Sequence, residues 1–125
     1  MRLLLDTHIF LWGAVDPVRM PRRAVQLIAQ AEQVFVSTAC IWELAIKARQ
    51  GKLAIDIHRL IATVSKAGFH KLVVRFPHAA LVAALPLLHS DPFDRILVAQ
   101  AIYESMQLVT VDKQLAAYSP LVQVV

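Results

Sequence analysis

The sequence has 125 residues, of which 58% are hydrophobic and 18% charged, with 13 Lys and Arg against nine Asp and Glu. This length predicts a single domain over residues 1–125 with a core of its own. No apolar run reaches the roughly 18–20 residues that span a bilayer, so we expect no membrane segment, and the single cysteine, Cys40, excludes an internal disulfide and favours a reducing cytoplasm.

The predicted elements alternate between strands and helices. In chain order they are a strand at 2–6, a helix after Thr7, a helix opened by Pro21, a strand at 34–37, helices at 38–51 and 56–68, a strand at 70–76, helices at 77–85 and 91–105, a strand at 107–111, a short helix at 112–118 and a terminal strand at 121–125. Proline at helix starts and glycine at helix ends support these bounds.

The strands are unbroken apolar runs rather than alternating ones. Such runs are typical of parallel sheets that are buried on both faces. The pattern therefore predicts an α/β fold, with a mostly parallel central sheet covered by helices on both faces. In sheets of this kind the functional crevice lies beyond the carboxyl ends of the strands.

Four acidic residues are predicted to lie at that edge of the sheet. Asp6 ends the first strand, and Asp112 directly follows the strand that contains VTV. Glu43 lies about a turn and a half into the helix after VFVS, and Asp94 lies in the first turn of the helix that begins DPF. Because right-handed crossovers point the strand ends the same way, we expect the four carboxylates to converge.

Each acid also has a plain structural interpretation. Asp6 and Asp112 have the position of helix N-caps. Glu43 is spaced to pair with Lys47 at i, i+4, and the helix dipole favours Asp94 in a first turn. Asp91, directly before Pro92, is assigned to capping alone.

The four acids together indicate a metal site. Glu43 and Asp94 are flanked by apolar residues in CIWELAI and DRILVAQA, so neither sequence resembles a freely solvated helix face. Carboxylates gathered in a half-buried cleft raise one another's pKa, and a divalent cation relieves that repulsion. The all-oxygen set, without His/Cys spacing of the zinc type, favours Mg²⁺ or Mn²⁺.

The charge balance points to a polyanionic substrate. Setting the four acids aside leaves five acidic residues against 13 basic ones, a surface charge of +8. Lys and Arg bind a phosphate backbone, while a metal activates water and stabilises charge on phosphorus. The high apolar fraction further indicates that another chain covers part of the surface, so we expect a protein partner or an oligomer.

The sequence resembles the PIN-domain nucleases, and among them the VapC toxins of bacterial toxin–antitoxin pairs. The resemblance is carried by LLLDTHIFLW, STACIWELAIKARQGKL, HSDPFDRILVAQA and LVTVDKQLAAY, which cover most of the chain. It implies a PIN-like α/β/α sandwich and a Mg²⁺-dependent endoribonuclease that a cognate antitoxin inhibits. The expected oligomer, which rests on the high apolar fraction, is a homodimer. Ser90 is a departure, because related sequences often have a basic residue there.

The same resemblance assigns roles to individual residues. The acidic set falls on Asp6, Glu43, Asp94 and Asp112, with Asp6 and Asp94 as direct ligands and the other two completing the cage or binding through water. Thr110 matches a supporting hydroxyl, and Ser37 and Thr7 are further helpers. Apart from the resemblance, position alone makes His8 and His89, which lie near the motifs, candidates for RNA contacts or for purely structural roles. Arg95, beside Asp94, either clamps phosphate or pairs with a site acid.

The sequence is compatible with three other functions. The chain is also compatible with a PIN nuclease of RNA processing or decay that is not a toxin, and with a non-catalytic RNA-binding PIN module. A phosphoacceptor or phosphatase is a third alternative, because an aspartate at the end of a first strand also suits aspartyl-phosphate chemistry. That chemistry calls for a second acid near Asp6, and DTH supplies none at 7 or 8.

Overall fold

The structure, a computed structural model, describes all residues from 1 to 125. Its five strands are β1 (Arg2–Leu5), β2 (Gln33–Ser37), β3 (His70–Leu72), β4 (Gln107–Thr110) and β5 (Val122–Val124). Its six α-helices are α1 (Thr7–Val15), α2 (Arg22–Gln30), α3 (Thr38–Arg49), α4 (Ile57–Lys66), α5 (Phe76–Val82) and α6 (Pro92–Glu104). Two short 3₁₀ helices cover Pro17–Arg19 and Lys113–Ala117. No helix combines the length and the apolarity needed to cross a bilayer.

The strands form one parallel sheet in the order β3-β2-β1-β4-β5. In chain order, β2 and β3 are added on one side of β1. The chain then crosses to the other side of β1, where it adds β4 and β5. The direction of building therefore reverses between β1 and β4. In open α/β sheets the crevice beyond such a reversal is the usual binding site, so the topology itself points to the ends of β1 and β4.

Both faces of the sheet are covered at its centre. Leu3, Leu4 and Leu5 are successive residues of β1, and none is more than 1% exposed. Because successive strand side chains point to opposite faces, burial of all three requires a packed layer on each side. Leu108 and Val109 of β4 are likewise fully buried. The predicted α/β/α arrangement is confirmed.

The helix boundaries follow local signals in the sequence. Asp56 caps α4 by accepting hydrogen bonds from the backbone N–H groups of His58 and Arg59. Gly51 and Gly68 lie just beyond α3 and α4 with φ values of 76°, a left-handed conformation that glycine adopts without strain.

Three elements differ from the prediction. β3 ends at Leu72 instead of extending to 76, and Val73 is already 59% exposed. β3 pairs only with β2, so no second neighbour holds the following residues in the sheet. α5 consequently covers Phe76–Val82 instead of 77–85, and the predicted helix at 112–118 is the 3₁₀ helix Lys113–Ala117.

Candidate active site

Asp6 lies at the carboxyl end of the central strand and is almost completely buried. Its backbone N–H donates to the carbonyl of Val109 at 2.9 Å, which continues the ladder between β1 and β4. Its Oδ1 accepts from the N–H of Thr7 at 2.7 Å, and its Oδ2 accepts from the hydroxyl of Thr110. Burial raises the pKa of Asp6, and the bonds from Thr110 and Thr7 partly offset that rise.

Thr110 connects Asp6 to Asp112. The Thr110 hydroxyl is fully buried; it donates to Asp6 and accepts from the backbone N–H of Asp112 at 3.0 Å. Asp112 in turn caps the following 3₁₀ helix, since its Oδ1 accepts from the N–H of Gln114 at 2.9 Å. One hydroxyl thus fixes two of the predicted acids at the ends of adjacent strands.

Glu43 is buried beside Asp6 and is connected to it through Thr7. The Thr7 hydroxyl donates to Glu43 Oε1 at 2.7 Å, while the Thr7 N–H donates to Asp6. Lys47 Nζ lies 2.8 Å from the other carboxylate oxygen, Oε2, so the predicted i, i+4 pair is present. Both oxygens of Glu43 therefore already accept from donors of the protein.

Asp94 completes the group from the first turn of α6. Burial raises its pKa to about 7, and the negative charges of Asp6, Asp91 and Glu43 add to the rise, while His89 opposes it. Its Oδ2 lies 3.4 Å from Nε2 of His89, which in turn lies 3.0 Å from Asp112 Oδ2. The four acids from separate segments of the chain therefore meet at one edge of the sheet.

His89 stands between two of these acids. Its Nε2 lies 3.0 Å from Asp112 Oδ2 and 3.4 Å from Asp94 Oδ2. One carboxylate oxygen of Asp94 and one of Asp112 lie within 4.8 Å of each other, a spacing compatible with a shared cation. Both carboxylates are half-buried oxygen donors, which suit a hard divalent cation.

Comparison with known proteins agrees with this geometry. The family model described as the PIN domain matches residues 3–119. The chain belongs to the PIN-domain family. It is 33% identical to "Ribonuclease VapC22" of Mycobacterium tuberculosis (strain ATCC 25618 / H37Rv) over 118 residues, which are 93% of this chain and 91% of that protein.

Solved structures share the fold of this PIN domain. A toxin–antitoxin complex from Klebsiella pneumoniae matches with a TM-score of 0.67 and 22% identity, over 97% of this chain and 95% of that one. The structure of VapBC2 from Rickettsia felis bound to a DNA fragment from its promoter matches with a TM-score of 0.69 and 15% identity, over 100% and 98% of the two chains. At these identities the likeness concerns the fold alone.

The structure places Arg95 of this PIN domain differently from the prediction. Its side chain is buried, and its guanidinium donates to the carbonyls of Val82, Leu85 and Pro86 and to the hydroxyl of Tyr118, at 2.8–3.4 Å. Through these hydrogen bonds, Arg95 of α6 stabilises the position of the end of α5 and the loop that follows it. Neither predicted contact, with a phosphate or with a site acid, fits this placement.

No hydrogen bond joins Ser37 or His8 to the four acids. Ser37 is fully buried and caps α3, where its hydroxyl accepts from the N–H of Ala39 at 3.0 Å. It thus positions the helix that carries Glu43. His8 is exposed, and its ring packs near Trp12 with 5.8 Å between centroids.

The sequence makes His89 a candidate for an RNA contact, and the structure places it directly between Asp94 and Asp112. A signal was present in HSDPFD, because a histidine two residues before a capping aspartate lies beside the first turn of the helix. That turn carries Asp94.

Proposed function

We propose that this PIN-domain protein is a divalent-metal-dependent endoribonuclease that hydrolyses RNA phosphodiester bonds and acts as the toxin of a toxin–antitoxin pair. The convergence of Asp6, Glu43, Asp94 and Asp112 at the reversal point of the sheet carries the proposal. Repulsion within such a group needs a cation to balance it, and cation-assisted hydrolysis of phosphodiesters is the chemistry that the arrangement serves. The relative named as a ribonuclease supports the substrate class.

We propose Mg²⁺, or Mn²⁺ in its place, as the cation, held by Asp6, Asp94 and Asp112. When bound, the ion makes water a stronger nucleophile and stabilises the charge that develops on the phosphate. Glu43, whose two oxygens accept from Thr7 and Lys47, completes the cage or binds the cation through water. Thr110 holds Asp6 and Asp112 in a fixed relation, so little reorganisation is needed when the substrate binds.

Basic residues beside the acids support an RNA substrate. A polar cavity of about 400 Å³ opens next to Glu43 and is lined by Lys47 and Lys52 together with Ser90. Two ammonium groups at the rim of an acidic site suit a phosphate backbone that passes across it. Ser90 adds a hydroxyl at the position where related sequences often have a basic residue.

Two apolar surfaces support protein partners. We propose that the cognate antitoxin binds the groove between α1, α2 and α4, an apolar cavity of about 380 Å³ whose walls include Phe10, Met20, Ile28 and Phe69. For a homodimer we propose the face of α3 and α6, where the side chain of Trp42 is 64% exposed. Its ring meets the ring of Phe93 edge-on, with 5.2 Å between the ring centroids.

We further propose that residues 1–125 act as one domain in the cytoplasm.

Cleavage of purified RNA tests the enzymatic proposal. We expect the wild-type protein to cut RNA with Mg²⁺, leaving 5′-phosphate and 3′-hydroxyl ends, and to be inactive with EDTA. Asp6→Asn should lose at least about 100-fold in rate, because a direct ligand is removed. Cleavage that persists in EDTA or in Asp6→Asn contradicts the proposal.

Expression in a bacterial host tests the toxin role separately. We expect the wild-type protein to arrest growth and Asp6→Asn to allow it. Normal growth together with metal-dependent cleavage in vitro would favour an RNA-processing nuclease instead. Undiminished RNA binding without any cleavage would favour the non-catalytic module.

A further inference from the structure

His89 has hydrogen-bond partners at both ring nitrogens. Its Nδ1 accepts from the backbone N–H of Asp91 at 3.1 Å. Its Nε2 faces carboxylate oxygens of Asp112 at 3.0 Å and Asp94 at 3.4 Å. Only 15% of the side chain is exposed, so both sets of contacts are partly shielded from water.

These contacts determine which ring nitrogen carries the proton. A backbone N–H is a donor only, so Nδ1 must supply a lone pair to it. A neutral imidazole has one donor and one acceptor nitrogen, which places the proton on Nε2. That N–H then points at carboxylate oxygens, which are acceptors when ionised.

The same contacts restrict what His89 can do for a cation. A ring nitrogen binds a metal through its lone pair, and the other ring nitrogen then normally donates to a neighbour. Here Nδ1 accepts from Asp91, so coordination through Nε2 would leave the ring without a proton on either nitrogen. An imidazolate would add a negative charge within 3.4 Å of the carboxylates of Asp94 and Asp112, and repulsion between like charges disfavours it.

We propose that His89 is a positioning residue and not a metal ligand: its Nε2–H bridges Asp112 and Asp94 and orients their oxygens toward the cation. The assignment of the proton rests on the hydrogen bonds alone, and the effect on RNA cleavage rests on the proposed function. The site is then selective for hard cations, since imidazole ligation, which suits Zn²⁺, Ni²⁺ and Cu²⁺, is not available.

Nitrogen-15 NMR of the metal-free protein tests the tautomer directly. Correlations between the ring carbon-bound protons and both ring nitrogens should identify Nε2 of His89 as protonated and Nδ1 as an acceptor. His8, which is exposed, serves as the internal reference for an unconstrained ring. A protonated Nδ1 in His89 would overturn the proposal.

Mn²⁺ binding tests the role of His89 toward the cation. Removal of a hydrogen-bond partner of a ligating carboxylate lowers metal affinity by about 10–100-fold. We expect His89→Ala to weaken Mn²⁺ binding within that range, whereas His89→Gln, whose amide can still donate at the Nε2 position, should recover most of the affinity. Thermal unfolding of both variants checks that they fold.

Pulsed EPR of the Mn²⁺-bound protein separates a ligand from a positioning residue. We expect no nitrogen coupling that depends on His89, so the spectra of wild-type protein and His89→Gln should agree. A nitrogen coupling that is lost in His89→Gln and kept in the control His8→Gln contradicts the proposal. Failure of the wild-type protein to bind Mn²⁺ contradicts the proposed function instead, and the NMR measurement still decides the role of His89.

Discussion

Each acid of the site makes a structural contact beside the chemical role that we propose for it. Asp6 and Asp112 cap the segments that follow them with Oδ1, and Oδ2 of each faces another residue of the site. Glu43 pairs with Lys47 and still borders Asp6 through Thr7. A carboxylate has two oxygens with several lone pairs, so the plain and the functional interpretations of the sequence are compatible.

Thr110 should prove essential although it carries no charge. Thr110→Val keeps the shape of the side chain and removes the hydroxyl that serves both Asp6 and Asp112. We expect RNA cleavage to fall by about 10–100-fold, as for other partners of ligating carboxylates, and the free energy of unfolding to fall by about 1–3 kcal/mol. Thr110→Ser, which retains the hydroxyl, should keep most of the activity; equal losses in both variants would refute this role.

Asp94 should make the metal-free protein less stable at high pH. Its pKa is about 7 in the folded chain against an ordinary 3.8. The folded state therefore holds this proton more tightly than the unfolded state, so stability falls as pH rises from about 4 to 7. The groups that act on Asp94 are the carboxylates of Asp6, Asp91 and Glu43, which raise its pKa, and His89, which lowers it.

Asp94→Asn removes the titrating carboxyl, so comparing its unfolding with that of the wild-type protein measures how Asp94 makes stability depend on pH. In EDTA at pH 8 we expect the variant to be more stable than wild type by about 1–2 kcal/mol, well below the full value of the shift because the carboxyl is partly exposed and screened. Near pH 4 the two proteins should unfold at similar temperatures. Asp91→Asn, which keeps the cap and removes a charge in the same turn, is the matched control; a stability gain of equal size there would argue against a special role of Asp94.

At the scale of elements, the order of the strands explains why distant acids meet. β1 and β4 are neighbours although about a hundred residues separate them, so Asp6 and Asp112 are adjacent in space. α3 and α6 start at the same edge of the sheet and bring Glu43 and Asp94. Topology, and not local sequence, thus assembles the site.

Arg95 is expected to matter through the stability of α6 and its neighbouring loop. Arg95→Met keeps the aliphatic length and leaves several buried carbonyls without a donor, so we expect the free energy of unfolding to fall by about 2–4 kcal/mol. Tyr118→Phe, which removes a single partner, should cost about 1 kcal/mol or less. Chemical denaturation gives both values; an Arg95→Met protein that is as stable as wild type but binds RNA more weakly would restore the phosphate-binding interpretation.

The sequence predicts the sheet and the convergence of the acids better than it predicts individual contacts. Unbroken apolar runs and capping residues are local signals, and parallel strands oblige their carboxyl ends to share one edge. The length of β3 depended instead on its position at the edge of the sheet. The direction of the Arg95 side chain and the two-sided contacts of His89 depend on residues far along the chain, such as Tyr118 and Asp112, which no local pattern indicates.

At the scale of the whole molecule, charge is divided between a small acidic centre and a basic remainder. The formal net charge of +4 is a sum over the whole chain, so it does not show that four acids lie together at the ends of β1 and β4. A cation at that centre would add to the positive charge and strengthen the attraction for a polyanion. RNA binding should therefore weaken as salt concentration rises.

Divalent cations should stabilise the folded protein as well as support cleavage. A ligand that binds only the folded state at 100 times its Kd adds about 2.7 kcal/mol of stability. We expect Mg²⁺ to raise the Tm of the wild-type protein and to have little effect on Asp94→Asn, with Na⁺ at matched ionic strength as the control. A Tm that rises equally in both proteins would indicate binding elsewhere.

We expect one pocket at the ends of β1 and β4 to hold a divalent cation for RNA cleavage. Anomalous X-ray scattering from crystals grown with Mn²⁺ would locate that cation. The predicted result is a manganese peak enclosed by the carboxylates of Asp6, Asp94 and Asp112. An ordered protein with those carboxylates and no peak among them, or with a peak only at another surface, would contradict it.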